Sequence, residues 1–317
     1  MIVHLLDGTY ELFRHFYGLR RYTKGEDPPF GAVAGVLHSV LQMIETGATH
    51  LGVATDHVIE SFRNDLWPGY KTAAGIDPAL LAQFHPLERA LTAMGVAVWP
   101  MIELEADDGL ASAARIASGN KGVQKVCIWT PDKDLAQCVR GDRVVQVDRK
   151  GHKILDAEGV RAKFGVQPVL VPDFLALVGD SADGYPGIPG IGPVTAARLL
   201  NRHGAIEHFP PAVLGEDRRT PLSPRGRTAV AWRCQSIRGV CGATGGRRPG
   251  GAVPQGAGCL MDIFSLLSVR FSTHLFDDTV RRTKMWRCEC CATSSSPDSR
   301  ARTATTPSGE THFADVD

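Results

Sequence analysis

Short apolar runs alternate with longer amphipathic stretches through the first two-thirds of the chain. "MIVHLL" reads as a buried strand ending at Asp7-Gly8, and "THLGVAT" (49–55) as a second strand ending at Asp56. Between them, "GAVAGVLHSVLQMIE" (31–45) carries its apolar residues at helical spacing. "PALLAQFHPLERALTAMG" (78–95) predicts one helix closed by Gly95. "VAVWPMI" (96–102), "QKVCIWT" (124–130) and "DRVVQVD" (142–148) predict three further strands. "PDFLALVGD" (172–180) predicts a helix, and "GIPGIGPVTAARLLNRHG" (187–204) a glycine-rich turn that enters another. Strands interleaved with helices predict an α/β fold wound on a mostly parallel sheet.

After about residue 217 this order stops. Residues 218–317 hold 14 Arg and a single Lys, and six of the eight cysteines lie after residue 233. Residues 1–217 carry 20 Lys+Arg against 26 Asp+Glu, a balance of −6; the rest carry 15 against 8, a balance of +7. The formal net charge of +1 therefore hides two regions of opposite sign. No apolar run reaches the length of a membrane span. The start has no basic stretch ahead of its apolar residues and meets Asp7 at once, unlike a signal peptide. These features predict a cytoplasmic protein.

The acidic residues change the picture most. "EADDGLASAA" (105–114) places Glu105, Asp107 and Asp108 within four positions, and the next cation downstream is Arg115. Like charges this close repel and raise one another's pKa, so they either all face water or surround something cationic. Asp7, Asp56 and Asp132 each close a predicted strand, and in open α/β sheets that edge is where ligands bind. Asp134 follows Asp132 by two residues, and Asp180 and Asp183 follow the 172–179 helix at i, i+3 spacing. A lone Asp after a strand is commonly a turn former or a helix N-cap. Nine carboxylates from five segments converging on one sheet edge point instead to a shared ligand. An oxygen-only set without His or Cys suits Mg²⁺ or Mn²⁺, and two such ions would clamp a phosphoryl displacement.

Arg63 and Lys71, in "ESFRNDLWPGYK" (60–71) just after the Asp56 strand, and Arg14, seven residues after Asp7, are few and placed. Fixed cations beside carboxylates suit a phosphate ligand, and each alone is equally a solvated surface charge. "GIPGIG" (187–192) is not a Rossmann fingerprint, because no strand precedes it. Nor is it a P-loop, because Pro193-Val194 follows Gly192. It fits a hairpin between helices whose backbone N–H groups can hold a phosphate, and also a plain C-cap and turn.

"LLDGTYELFR", "SFRNDLWPGYK", "ELEADDGLASAA", "TPDKDLAQ" and "GDSADGYPGIPGIGPVTAARLL" together resemble the bacterial 5'-3' exonucleases. These are flap-endonuclease-like nucleases, also found as the N-terminal domain of DNA polymerase I. The resemblance covers roughly residues 1–217 and implies a two-metal nuclease with a PIN-like parallel sheet. It implies that Asp7, Asp56, Glu105, Asp107 and Asp108 hold one metal and that Asp132, Asp134, Asp180 and Asp183 hold the other. It gives Arg63 and Lys71 catalytic places around the scissile phosphate. It gives Arg14, Tyr70, Gly187, Gly190, Gly192 and Thr195 a part in binding DNA. Residues of about 64–80 correspond to a helical arch that passes a single-stranded 5' flap. Residues 187–204 correspond to a helix–hairpin–helix that grips duplex phosphates, with K⁺ as a further ion there.

The implied organisation is a catalytic domain over 1–170, a DNA-gripping region over 171–217, and a tail over 218–317. The tail reads either as a change of reading frame near residues 217–220 or as a disordered basic extension that binds nucleic acid. "CECC" (288–291) lacks a second ligand pair at usable spacing and reads as incidental. The implied partner is DNA with 5' flaps, nicks or 5' ends, bound by a monomer with no membrane association. Two other classes share these carboxylates: a DNA-binding module with impaired catalysis, and a PIN-like ribonuclease.

Overall fold

A computed structural model describes residues 1–24, 27–149, 153–210 and 213. The expected tail, from disorder or frame change to "CECC", lies outside the described residues. The elements in chain order are β1 (Ile2–Asp7), α1 (Gly8–Thr23), α2 (Gly31–Glu45), β2 (His50–Asp56), α3 (Phe62–Leu66), α4 (Pro78–Leu81) and α5 (Phe84–Ala93). There follow β3 (Ala97–Met101), α6 (Ala106–Gly119), β4 (Lys125–Trp129), β5 (Val144–Asp148), β6 (Lys153–Leu155), α7 (Ala157–Phe164), α8 (Val171–Val178) and α9 (Pro193–His203). Among the described residues, no helix is long and apolar enough to cross a membrane.

The sheet has the order β3-β2-β1-β4-β5-β6, parallel throughout except for β6. This is the mixed α/β, mostly parallel architecture that the alternating pattern predicts. Side chains alternate between its faces. Val3, Leu5 and Ile128 pack with Leu110 and Ala114 of α6, while Leu6, Leu51 and Val53 pack with Leu12, Val36 and Leu87 of α1, α2 and α5. Burial on both faces explains why these strands read as nearly continuous apolar runs. A third cluster joins Val160, Phe164, Phe174, Leu177 and Leu200 across α7, α8 and α9. The chain leaves β1 in one direction for β2 and β3 and in the other for β4 and β5. The crevice between β1 and β4 is therefore a topological switch point, the usual ligand position in such sheets.

Three elements differ from the sequence reading. The helix expected over 78–95 is two helices, α4 and α5. Pro86 has no N–H and would clash inside a continuous helix, but the first turn of α5 tolerates it. The helix expected over 172–180 ends at Val178, because Gly179 adopts φ +96°. The arch expected over about 64–80 is helical only at its ends, in α3 and α4. Pro68, Gly69 and Gly75 break any helical run between them.

The break before α5 has a use. Helix α2 follows Phe30, which provides no side-chain cap. Gln83 Oε1, buried between the helices, accepts instead from the backbone N–H groups of Ala32 (3.1 Å) and Val33 (3.2 Å). Gln83→Ala would leave both donors unsatisfied, at about 1–3 kcal/mol. A drop of that size in urea-unfolding stability, with little change in secondary structure, is the expected outcome.

Candidate metal centre

Each strand end delivers its carboxylate to the same edge for a local reason. Asp7 closes β1 and caps α1, its Oδ1 accepting from Tyr10 N–H at 2.8 Å and its Oδ2 from the Thr130 hydroxyl at 3.0 Å. Gly8 makes this junction possible: a Cβ there would meet Val53 and Thr55 of β2 at 2.7 Å. Asp56 closes β2, and its Oδ1 accepts from Ala106 N–H, the first residue of α6, at 2.7 Å. Two carboxylates thus sit at helix N-termini, where the helix dipole offsets part of their charge. Asp132, beyond β4, accepts from Asp134 N–H at 2.8 Å.

The opening of α6 separates the three carboxylates of "EADD". Glu105 and Asp108 form a reciprocal cap, Glu105 N–H donating to Asp108 Oδ2 at 3.0 Å. Both face α3 and the residues on either side of it. Arg63 grips Asp108 with two guanidinium nitrogens, at 2.6 and 2.7 Å, and lies 3.3 Å from Glu105. Lys71 Nζ is 3.0 Å from Glu105, and the Ser61 and Tyr70 hydroxyls donate to it at 2.6 and 3.0 Å. The counter-charge for these two carboxylates is thus supplied by the protein, from residues about forty positions earlier in the chain. Asp108 and Arg63 are 1% and 5% exposed. Removing either partner would strand a buried charge, at about 3–5 kcal/mol.

The remaining carboxylates crowd one another. Burial, and then the charges of Asp56 and Asp132, push the Asp7 carboxyl up to about 7. Asp107 is held well above its ordinary value by desolvation and by Asp132 and Asp7. Asp56 is raised by burial, with Lys71 and the Ala106 N–H opposing. Asp132 is exposed to water by surface area, but the protein groups around it desolvate its carboxyl, and that, followed by the charges of Asp183 and Asp180, raises it. Burial works against ionised Glu105 as well, but Lys71 and Arg63 hold its carboxyl below the usual range.

A second group lies beside the first. Carboxylate oxygens of Asp134, Asp180 and Asp183 fall within 4.8 Å of one another, close enough to share one cation. Asp180 and Asp183 come from the loop after α8, which is pinned by the paired backbone bonds between Asp180 and Tyr185. Lys133 Nζ is 2.9 Å from Asp180, and Lys71 Nζ is 3.6 Å from Asp183. A cleft of about 360 Å³ opens here, lined by Lys133, Asp180, Ser181 and Tyr185 among others. An oxygen-only donor set of this kind fits hard divalent cations.

Of the remaining expected positions, Arg14 lies on α1 and pairs with the buried Glu11 at 2.5 Å. Tyr70 is buried, facing Glu105. Gly187 has a packing reason: at φ +71°, a Cβ there would meet Val178 backbone at 2.4 Å. Gly190 (φ +83°) and Gly192 form an open turn into α9, where Pro193 is at the first position and Thr195 is half-buried. The sequence reading missed Ser61, Thr130 and Lys133. Ser61 and Thr130 carry no signal until the fold aligns them with Glu105 and Asp7. Lys133 had one, lying between Asp132 and Asp134 in "PDKD".

Two family models cover the first two-thirds of the chain. One, described as 5'-3' exonuclease, N-terminal resolvase-like domain, matches residues 2–165; another, 5'-3' exonuclease, C-terminal SAM fold, matches residues 166–219. A 5'-3' exonuclease of Aquifex aeolicus is 34% identical over 212 residues, covering 65% of this chain and 71% of its own length. DNA polymerase I of Pseudomonas aeruginosa is 38% identical over 202 residues, or 63% of this chain, and the match spans only 22% of the polymerase. The fold is similar to that of T5 5'-exonuclease with bound divalent zinc ions (TM-score 0.52, 14% identity, 76% of this chain and 88% of that one). It is equally similar to a bacteriophage T5 flap endonuclease in a pseudo-enzyme-product complex with DNA and metal ions (TM-score 0.52, 16% identity, the same coverage).

The raised carboxyls set a pH dependence for the metal-free chain. A carboxyl whose folded pKa lies above its unfolded value binds protons more tightly when folded. Its destabilising effect grows as pH rises from the unfolded value near 3.8 towards about 7 for Asp7. In EDTA, the melting temperature is expected to fall between about pH 4 and pH 7, and Mg²⁺ at neutral pH to restore most of the loss. A melting temperature indifferent to Mg²⁺ would contradict the crowding described here.

Proposed function

The chain belongs to the 5'-3' exonuclease family, and from that membership we propose that it is a metal-dependent 5'-3' DNA exonuclease and 5'-flap endonuclease. It would hydrolyse phosphodiester bonds with two divalent cations, Mg²⁺ or Mn²⁺, as a cytoplasmic monomer in DNA replication and repair. The observation that carries this reading is the gathering of Asp7, Asp56, Asp107 and Asp132 at the β1/β4 crevice, where burial, and then the charges of Asp56 and Asp132, raise Asp7 to about 7. Residues 1–170 form the catalytic part of this proposal and 171–217 the part that grips DNA.

Asp7, Asp56, Glu105 and Asp107, with Asp108 behind them, would hold one cation. Asp132, Asp134, Asp180 and Asp183 would hold the other. When bound, such ions supply Lewis-acid polarisation of the phosphodiester and acidify a water molecule. The rest falls to the protein's own groups. Lys71, between Glu105 and Asp183, would swing its ammonium to the scissile phosphate and oppose the charge that builds there. Arg63 acts from behind as a positioning residue, since its fork is occupied by Asp108. Tyr70 orients Glu105 through its hydroxyl.

The turn at Gly190 and Gly192 opens the N-terminus of α9, a position suited to a duplex phosphate, with K⁺ as a further ion. Exposed Arg198 and Arg202 on the same helix, and Val194 at 84% exposure, support a contact surface there. Arg14 would reach the strand near the entrance.

Cleavage of labelled 5'-flap DNA in Mg²⁺, absent in EDTA and absent on single-stranded RNA, is the direct test. RNA cleavage instead would favour a ribonuclease. Asp132→Asn is expected to reduce flap cleavage by at least about 10²-fold while DNA binding persists. Lys71→Ala is expected to lower kcat by about 10²-fold with a smaller change in KM, the signature of a contact that matters mainly in the transition state.

A further inference from the structure

One cluster outside the carboxylate edge has a different chemistry. His57 follows Asp56 at the exit of β2, and His85 and Glu88 lie at i, i+3 on α5. One ligand atom from each falls within 4.8 Å of the other two. His57 Nδ1 is 2.8 Å and His85 Nδ1 is 3.8 Å from Glu88 Oε2. Ligand atoms around a tetrahedral zinc, at bonds of about 2.0–2.2 Å, stand about 3.3–3.6 Å apart. The two observed separations bracket that value, so small side-chain rotations would close the set.

The supports are in place. Glu88 is buried, and its other oxygen accepts from the Thr55 hydroxyl at 2.8 Å, which fixes the carboxylate's orientation as an outer-shell partner of a ligand does. His57 is anchored by its own N–H to the Met101 carbonyl at 2.9 Å. The two imidazoles meet edge to face, with centroids 4.2 Å apart. His85 is about half-exposed, which leaves an approach from solvent.

We propose that His57, His85 and Glu88 bind one divalent transition-metal ion, with Zn²⁺ the best match. The N₂O donor set separates this site from the oxygen-only edge: imidazole favours zinc, cobalt, nickel or copper over magnesium. Three protein ligands leave a fourth position for water. The ion would clip the base of residues 58–84, the segment that carries Arg63, Tyr70 and Lys71 to the acidic centre. Closing a loop of that length at its base limits how far it can open. The proposal is independent of the nuclease reading, because its test reads metal binding and not cleavage.

The test uses the full chain, stripped of metal and of any affinity tag, with accessible thiols alkylated so that the cysteines do not compete. It is titrated with Co²⁺ in excess Mg²⁺, which saturates the carboxylate edge. The wild type is expected to give the intense visible absorption of four-coordinate cobalt with nitrogen ligands, displaced by stoichiometric Zn²⁺. Losing an outer-shell partner costs about 10–100-fold in metal affinity, so His85→Ala, which loses a direct ligand, should bind at least about 10-fold more weakly and lose the band. His57→Ala should do the same. His85→Ala removes a half-exposed side chain and keeps the measurement usable if His57→Ala folds poorly. Only the weak spectrum of six-coordinate oxygen ligation in the wild type would overturn the proposal. So would a strong band that survives in His85→Ala.

Discussion

Electrostatic repulsion at the carboxyl edge of the sheet is the constraint around which the rest of this structure is arranged. Parallel strands ending at one edge bring Asp7, Asp56 and Asp132 together whatever their charges. The fold answers part of that repulsion itself. The N-termini of α1 and α6 face Asp7 and Asp56, and Arg63 and Lys71 neutralise Asp108 and Glu105. Burial, and after it the repulsion that remains, hold the other carboxyls above their ordinary pKa. That residue of unmet charge is what gives the site its appetite for cations.

The segment from α3 to α4 gains its importance from the same constraint. It has little regular structure and no large core of its own. It is held down by charge and by a few directed contacts: Arg63 to Asp108, Lys71 to Glu105 and Asp183, and the Trp67 indole N–H donating to the Gly184 carbonyl at 3.2 Å. Trp67 also meets the Tyr185 ring edge-on, with centroids 5.7 Å apart. The segment therefore touches both groups of carboxylates at once. Any ligand that draws Lys71 away from Glu105 and Asp183 also loosens the segment that carries it.

Much of this was legible in the sequence. The apolar runs of β1, β2, β4 and β5 and the helical spacing of α2 are local patterns, and each acidic residue at a strand end follows from one of them. The parallel sheet then follows from alternation. Less legible were features that depend on distant partners. Pro86 was visible inside "FHPLER", but the break before α5 is settled by Gln83 reaching back to the start of α2. The short antiparallel β6 and the glycine-interrupted α7 carry too weak a period to be read alone.

The sequence by itself determined which residues are acidic, which strands they end, and hence that an oxygen-rich cluster would form at one edge. Hydrophobic periodicity is a local property, and it sets where strands stop. The tertiary structure decided how that charge is shared. In sequence, Glu105, Asp107 and Asp108 look alike and uncompensated; in the fold, Glu105 and Asp108 turn to Arg63 and Lys71 while Asp107 turns to Asp132 and Asp7. Coulomb interactions depend on distance through space, and one turn of α6 is enough to send neighbouring carboxylates into opposite environments.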